Sequence, residues 1–143
     1  MKKTVCILLV LVICFSTIGL PTLAAQPETV APLYEHTSLV LTTMNMSNGG
    51  KANINIQCYA ETGTTSIRAE THLELKVGQS WVTIDNGQPN DQWTASTTDA
   101  FLVRTYEYQL VARGTYRAVT IFTVTKGTSE GIAVFSNEVT YTP

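Results

Sequence analysis

Three observations predict an all-β protein folded as a two-sheet antiparallel sandwich of about seven to eight strands. The first is Gly114–Val124, where Tyr116, Ala118, Thr120, Phe122 and Val124 alternate with Thr115, Arg117, Val119, Ile121 and Thr123. Its β-branched and aromatic residues suit a pleated, half-buried surface, so this stretch is expected to be the central strand. The second is the strict period of two in Ala52–Ala60 and again in Thr65–Val77. The third is punctuation: Gly- and Asn-containing turns recur every 8–12 residues, and no segment carries a helical period.

The 143 residues amount to one domain, preceded by a stretch that is not part of it. Met1–Lys2–Lys3 is basic, Val5 to Ile18 is apolar, and Pro21–Ala25 ends in small residues. Roughly 14 apolar residues fall short of the ~20 that span a bilayer, so residues 1–25 are expected to be a cleaved secretory signal, cut near Ala24 or Ala25. A lipid-modified N-terminus at Cys14 is disfavoured, because Ile13 precedes it and apolar residues continue beyond it. The mature chain is thus expected outside the cell, with no membrane span. Loss of Lys2 and Lys3 moves its net charge from −2 to −4, the wrong sign for holding nucleic acid through its phosphates.

Removal of the leader also leaves Cys58 as the only cysteine of three. It shares a face with Ala52, Ile54 and Ile56, so an inert core thiol is the simplest expectation. A bridge between two chains is the alternative. A nucleophile would need His36 or His72 as its base, and neither lies in such a context.

Residues 26–36, with Pro27 and Pro32, read as an extended arm, and residues 37–143 as the sandwich. Ser38–Met46 is expected to be the first strand, although its apolar residues do not alternate. Asn48–Gly49–Gly50 is a turn, and Asn45–Met46–Ser47 matches a glycosylation acceptor of low specificity. Ala52–Ala60 turns its alanines, isoleucines and cysteine inward and Asn53, Asn55, Gln57 and Tyr59 outward. In Thr65–Val77, Ile67, Ala69, Thr71, Leu73, Leu75 and Val77 are expected inside. Arg68, Glu70, His72, Glu74 and Lys76 would form a solvated outer row. Trp81–Asp85 follows a tight turn, and Gln88–Asp99 reads as a loop or irregular edge strand. Phe101–Val111, the central strand and Ile132–Tyr141 complete the set.

Two positions resemble the immunoglobulin-like domain. There, a tyrosine near the start of the sixth strand stands two residues before the second disulfide cysteine. Gly114–Thr115–Tyr116–Arg117–Ala118 is similar, with alanine at the cysteine position. The resemblance implies an immunoglobulin-like sandwich over Thr37–Pro143 and makes Cys58 the counterpart of the first cysteine, facing Ala118. Leu73 and Leu75 occupy the place of the core tryptophan, and Trp81 follows the next turn. The leader, Leu75–Lys76 before Gly78 and Trp81, and Gly114–Arg117 also resemble a family of small secreted bacterial proteins. That likeness implies no activity, substrate or cofactor.

Candidate chemistry is sparse. Glu70, His72 and Glu74 share a strand face, but Arg68 and Lys76 beside them favour ion pairing over metal ligation. Asp85, Asn86, Asn90, Asp91 and Asp99 offer oxygen ligands without the spacing of a calcium loop. No cofactor motif is present. The feature that stands out is the outer face of the central strand, where Val119 and Ile121 lie beside Arg117, with Trp81 as a neighbour. The expectation is a secreted, non-catalytic binding or structural module. This surface would contact a protein or glycan, or a second copy of the chain. The alternative is a small secreted hydrolase drawing on Asp85, Asp91 and Asp99.

Overall fold

The structure is a computed structural model that describes residues 34–47 and 49–143. The expected leader and most of the arm lie outside the described residues. Nine strands form among those residues: β1 (Thr37–Ser47), β2 (Lys51–Ala60), β3 (Ser66–Val77), β4 (Ser80–Thr83), β5 (Trp93–Thr97), β6 (Phe101–Gln109), β7 (Gly114–Lys126), β8 (Thr128–Phe135) and β9 (Val139–Tyr141). All pairings are antiparallel. One sheet has the order β1-β2-β6. The other has the order β4-β3-β7-β8, with β5 on β3 and β9 on β7. The chain is an all-β, two-sheet antiparallel sandwich, and no described helix is long and apolar enough to cross a membrane.

β7 is central because both of its edges are occupied along its length. Ser66–Leu75 of β3 pair with Thr125–Tyr116, while β8 and β9 share the opposite edge. The expected final strand is split in two at Ser136–Glu138. There the Ser136 N–H donates to the Ala118 carbonyl and its hydroxyl accepts from the Ala118 N–H, both at 2.9 Å. The serine side chain supplies a bond that the ladder loses at this irregularity.

Tyr116, Ala118, Phe122 and Val124 of β7 meet Ile54, Ile56 and Cys58 of β2 and Leu102 of β6 in one buried core. The Tyr116 hydroxyl donates to the Ala112 carbonyl at 2.6 Å, four residues back. That is the tyrosine corner the sequence implies. Inside the core, the Thr71 and Thr120 hydroxyls pair at 3.0 Å, which lets two polar groups be fully buried.

Polar side chains tie the two sheets together along the β1 flank. Asn137 exchanges two bonds with the Met44 backbone: its Oδ1 accepts from Met44 N at 3.0 Å and its Nδ2 donates to Met44 O at 2.8 Å. Further along, Glu130 accepts from the N–H groups of Glu35 and His36 and from the Thr37 hydroxyl, at 2.7, 3.1 and 3.0 Å. Both ties stand in for strand partners that an edge would otherwise offer to another chain.

These ties also fix the stagger between the sheets. Met44 pairs with Ile54 in one sheet, and the residue after Ser136, partner of Ala118, reaches Met44 from the other. At the far end, Glu61 bonds Lys126 at 2.8 Å. Ala118 is therefore level with Ile54, and Cys58 lies four residues further on, ~13 Å at about 3.3 Å per residue. The expected facing of Cys58 and Ala118 is corrected accordingly. Both are buried in the same core, at different heights.

Two further expectations change. Val77 is 56% exposed, because β3 runs past the core and pairs there only with β4. Gln88–Asp99 is more ordered than a loop. It holds a 3₁₀ turn, Pro89–Asp91, and the strand β5, whose Trp93 and Ala95 pack against the core.

Candidate functional site

The outer face of the four-stranded path is built by register. Across it lie Glu74 beside Arg117, His72 beside Val119 and Phe135, and Glu70 beside Ile121 and Ala133. Trp81, paired with Lys76, stands at the β4 edge. Residues one strand apart on the same face sit within contact distance, so this row works as one surface.

Arg117 organises it. Its guanidinium carbon lies 4.1 Å from the Trp81 ring centroid and 4.6 Å from that of Phe135, so the planar cation is layered between two aromatic rings. Each such contact contributes about 0.5–2 kcal/mol, more as water is excluded. Glu74 fixes the group's rotation: Arg117 Nε donates to Glu74 Oε2 at 2.7 Å, and His72 Nε2 lies 3.3 Å from the other carboxylate oxygen. Lys76 Nζ sits 5.2 Å from the Trp81 centroid and pairs with Glu138 at 3.5 Å. Arg68 pairs with Glu70 at 2.8 Å.

Arg117, Val119, Ile121 and Trp81 thus occur together on one face as the sequence predicts, with a changed division of labour. Val119 is only 5% exposed and faces solvent hardly at all. Its neighbours across the ladder are His72 and Phe135, and they cover it. Ile121 is 39% exposed and Phe135 54% exposed, so the apolar contact area belongs to those two. Phe135 is the residue that sequence reasoning missed. Its position is readable only once β8 is registered on β7, since nothing near it in the chain marks it. The charge row on β3 is likewise not uniformly solvated, because the stack covers His72 and Glu74 while Arg68 and Lys76 stay exposed.

The other candidate groups are dispersed. The Asp85 carboxylate accepts from Gly87 N at 2.8 Å, and that of Asp99 engages the Thr97 hydroxyl at 3.4 Å, each within its own turn. Asp91 belongs to the 3₁₀ turn. Among the described residues no group of three His, Cys, Asp or Glu side chains is arranged to hold a metal ion. Burial, with a smaller push from the Glu130 charge, raises the Cys58 thiol to about 11. At neutral pH it stays protonated and inert.

A second apolar surface lies on the outer face of the three-stranded sheet. Leu39, Tyr59 and Phe101 form one cross-strand row, and Leu41 and Val103 flank Gln57 in the next. All but Gln57 are exposed. The absence of alternation in β1 has this cause: Leu39 and Leu41 face out while Val40, Thr42 and Met44 face in. Searches of protein-family models, curated proteins and solved structures give no match to this chain.

Proposed function

We infer that the mature chain acts outside the cytoplasm as a non-catalytic protein-binding module, engaging its partner through the Trp81–Arg117–Phe135 face. The observation that carries this reading is the layered guanidinium, flanked by exposed Ile121 and Phe135. Tryptophan, arginine and phenylalanine at the centre of a patch, with paired charges at its rim, is the composition of an interface hot spot. Arg117 is already oriented by Glu74, so a partner orders little on docking. The leader at residues 1–25 supports the compartment. The hydrolase alternative has less behind it, since Asp85 and Asp99 are engaged in their own turns.

The test pairs Ile121→Ser with Phe135→Ser, two exposed positions whose loss leaves the core intact. Sedimentation velocity reads self-association, and cross-linking in culture supernatant followed by mass spectrometry reads other partners. The double variant should lose the self-associated species, or at least one cross-linked partner, while staying folded, its melting temperature lowered only by the lost Phe135 contacts with Arg117 and Val119. Identical sedimentation profiles and identical cross-linked sets for the two proteins would remove this face from consideration.

A further inference from the structure

On the opposite flank from the Asn137 and Glu130 ties, the turn between β4 and β5 is held rigidly. Asn86 is buried and bonds in both directions: its Nδ2 donates to Asp91 O at 3.0 Å, and its Oδ1 accepts from Gln88 N at 2.9 Å. Tyr108 secures the base by donating its hydroxyl to the Asp85 carbonyl at 3.0 Å. Within the turn Asn90 and Asp91 both sit at φ 56°, left-handed backbone that these two residue types tolerate better than most.

The turn stands over an open cleft of about 470 Å³. Its walls include Trp93, Tyr106, Gln88, Gln92 and the Arg68–Glu70 pair. The volume falls in the range of about 300–1,000 Å³ typical of small-molecule sites. Trp93 and Tyr106 are stacked, with centroids 5.3 Å apart and planes 13° apart, and Tyr108 meets the indole edge-on at 6.2 Å. The Tyr106 hydroxyl is buried and has no hydrogen-bond partner among the described residues. A buried hydroxyl without a partner costs stability, so its retention beside a cleft calls for another use.

We propose that this cleft is a saccharide-binding site, taking a neutral pyranose unit of a polysaccharide. The ligand class follows from the lining. Trp93 and Tyr106 offer a narrow apolar strip among polar groups, which suits the C–H face of a sugar ring. The Gln88 and Gln92 amides offer donors and acceptors to its hydroxyls, and the buried Tyr106 hydroxyl provides one more once the ligand displaces the side chains that cover it. Arg68 is neutralised by Glu70 at 2.8 Å, so the site has no net charge with which to select an anion. A wholly apolar ligand would strip water from the amides and the ion pair without replacing those bonds. The cleft shares only the Arg68–Glu70 pair with the Arg117 face, and Tyr106 and Gln92 lie on the cleft side alone as Ile121 and Phe135 lie on the other, so either assignment can fail alone.

Affinity electrophoresis tests it, with native gels containing laminarin, hydroxyethyl cellulose, xylan, mannan or dextran, and alginate as the charged control. The wild-type protein should be retarded by at least one neutral polymer, and amide NMR should place the largest shifts at Trp93, Gln88 and Gln92. Tyr106→Phe should weaken retention about threefold to tenfold, the loss expected for one hydrogen bond, while its melting temperature holds or rises. Gln92→Ala should weaken retention without disturbing the aromatic stack. The proposal is overturned if no neutral polymer retards the protein, or if alginate alone does. It is equally overturned if Tyr106→Phe binds like wild type or melts lower, since the fold would then be using that hydroxyl.

Discussion

Thr71 and Thr120 show what a single buried side chain is worth in this core. Their hydroxyls satisfy one another at 3.0 Å across the β3–β7 pair, with no solvent to replace a missing partner. Replacing either with valine strands the other, at a cost of about 1–3 kcal/mol, whereas replacing both leaves two apolar groups of similar shape. Denaturant melts of Thr71→Val, Thr120→Val and the double variant should therefore be strongly non-additive, the double variant recovering most of either single loss. Additive losses would mean that the pair is not a closed unit. Thr42 lies elsewhere in the interior with a buried hydroxyl that has no partner among the described residues. At this scale the sequence was readable where parity alone decides. The inward placement of Ile54, Ile56 and Cys58 follows from a period of two, and so does that of Ala118 and Phe122. Val119 was misread because parity assigns a side of the sheet and says nothing of what covers it. The cover comes from Phe135, sixteen residues further along the chain.

Among the elements, β1 depends most on a single group. Its N-terminal end is held by Glu130 of β8, whose carboxylate takes three hydrogen bonds at once. Burial by itself would raise that carboxyl, yet the Glu35 and His36 N–H groups and the Thr37 hydroxyl together hold it below its ordinary value of 4.5. A carboxyl lowered on folding stabilises the native state above its unfolded pKa, and that contribution is lost as pH falls through the lower, folded value. Glu130→Gln should cost about 1–2 kcal/mol at pH 7. It should speed hydrogen exchange at the Glu35 and His36 amides and flatten the fall in stability below pH 4.5. Unchanged exchange at those two amides would show that the clamp is unimportant. β5 and the Pro89–Asp91 turn illustrate the opposite problem of legibility. Gln88–Asp99 is short and polar, and Thr94 and Ser96 carry no apolar pattern. Only pairing with β3 makes a strand of them.

For the molecule as a whole, the stagger between sheets was the least legible quantity. Period and turn spacing specify strands and their inner faces, and the Tyr116 hydroxyl bond to the Ala112 carbonyl fixes the entry into β7. Neither says how far one sheet slides along the other. That is set by Asn137 at Met44 and by Lys126 at Glu61, contacts between residues 93 and 65 positions apart. With Ala118 level with Ile54, Ala118→Cys should form no bridge to Cys58, because the ~13 Å offset exceeds the roughly 7 Å that a disulfide spans between Cα atoms. Thiol trapping after oxidation and denaturation should recover two free thiols per chain. A bridged species would require the sheets to be slid by two pleats.

The two flanks of the sandwich are closed by different chemistry, Glu130 and Asn137 on one side and the Trp93–Tyr106 stack on the other. Proton concentration acts on Glu130 alone and is indifferent to the Asn137 amide and to the aromatic stack. Acid would free only the start of β1, at Glu35–Thr37, while Asn137 and the indole side stay shut, giving a locally frayed species whose tryptophan emission still reports a folded protein.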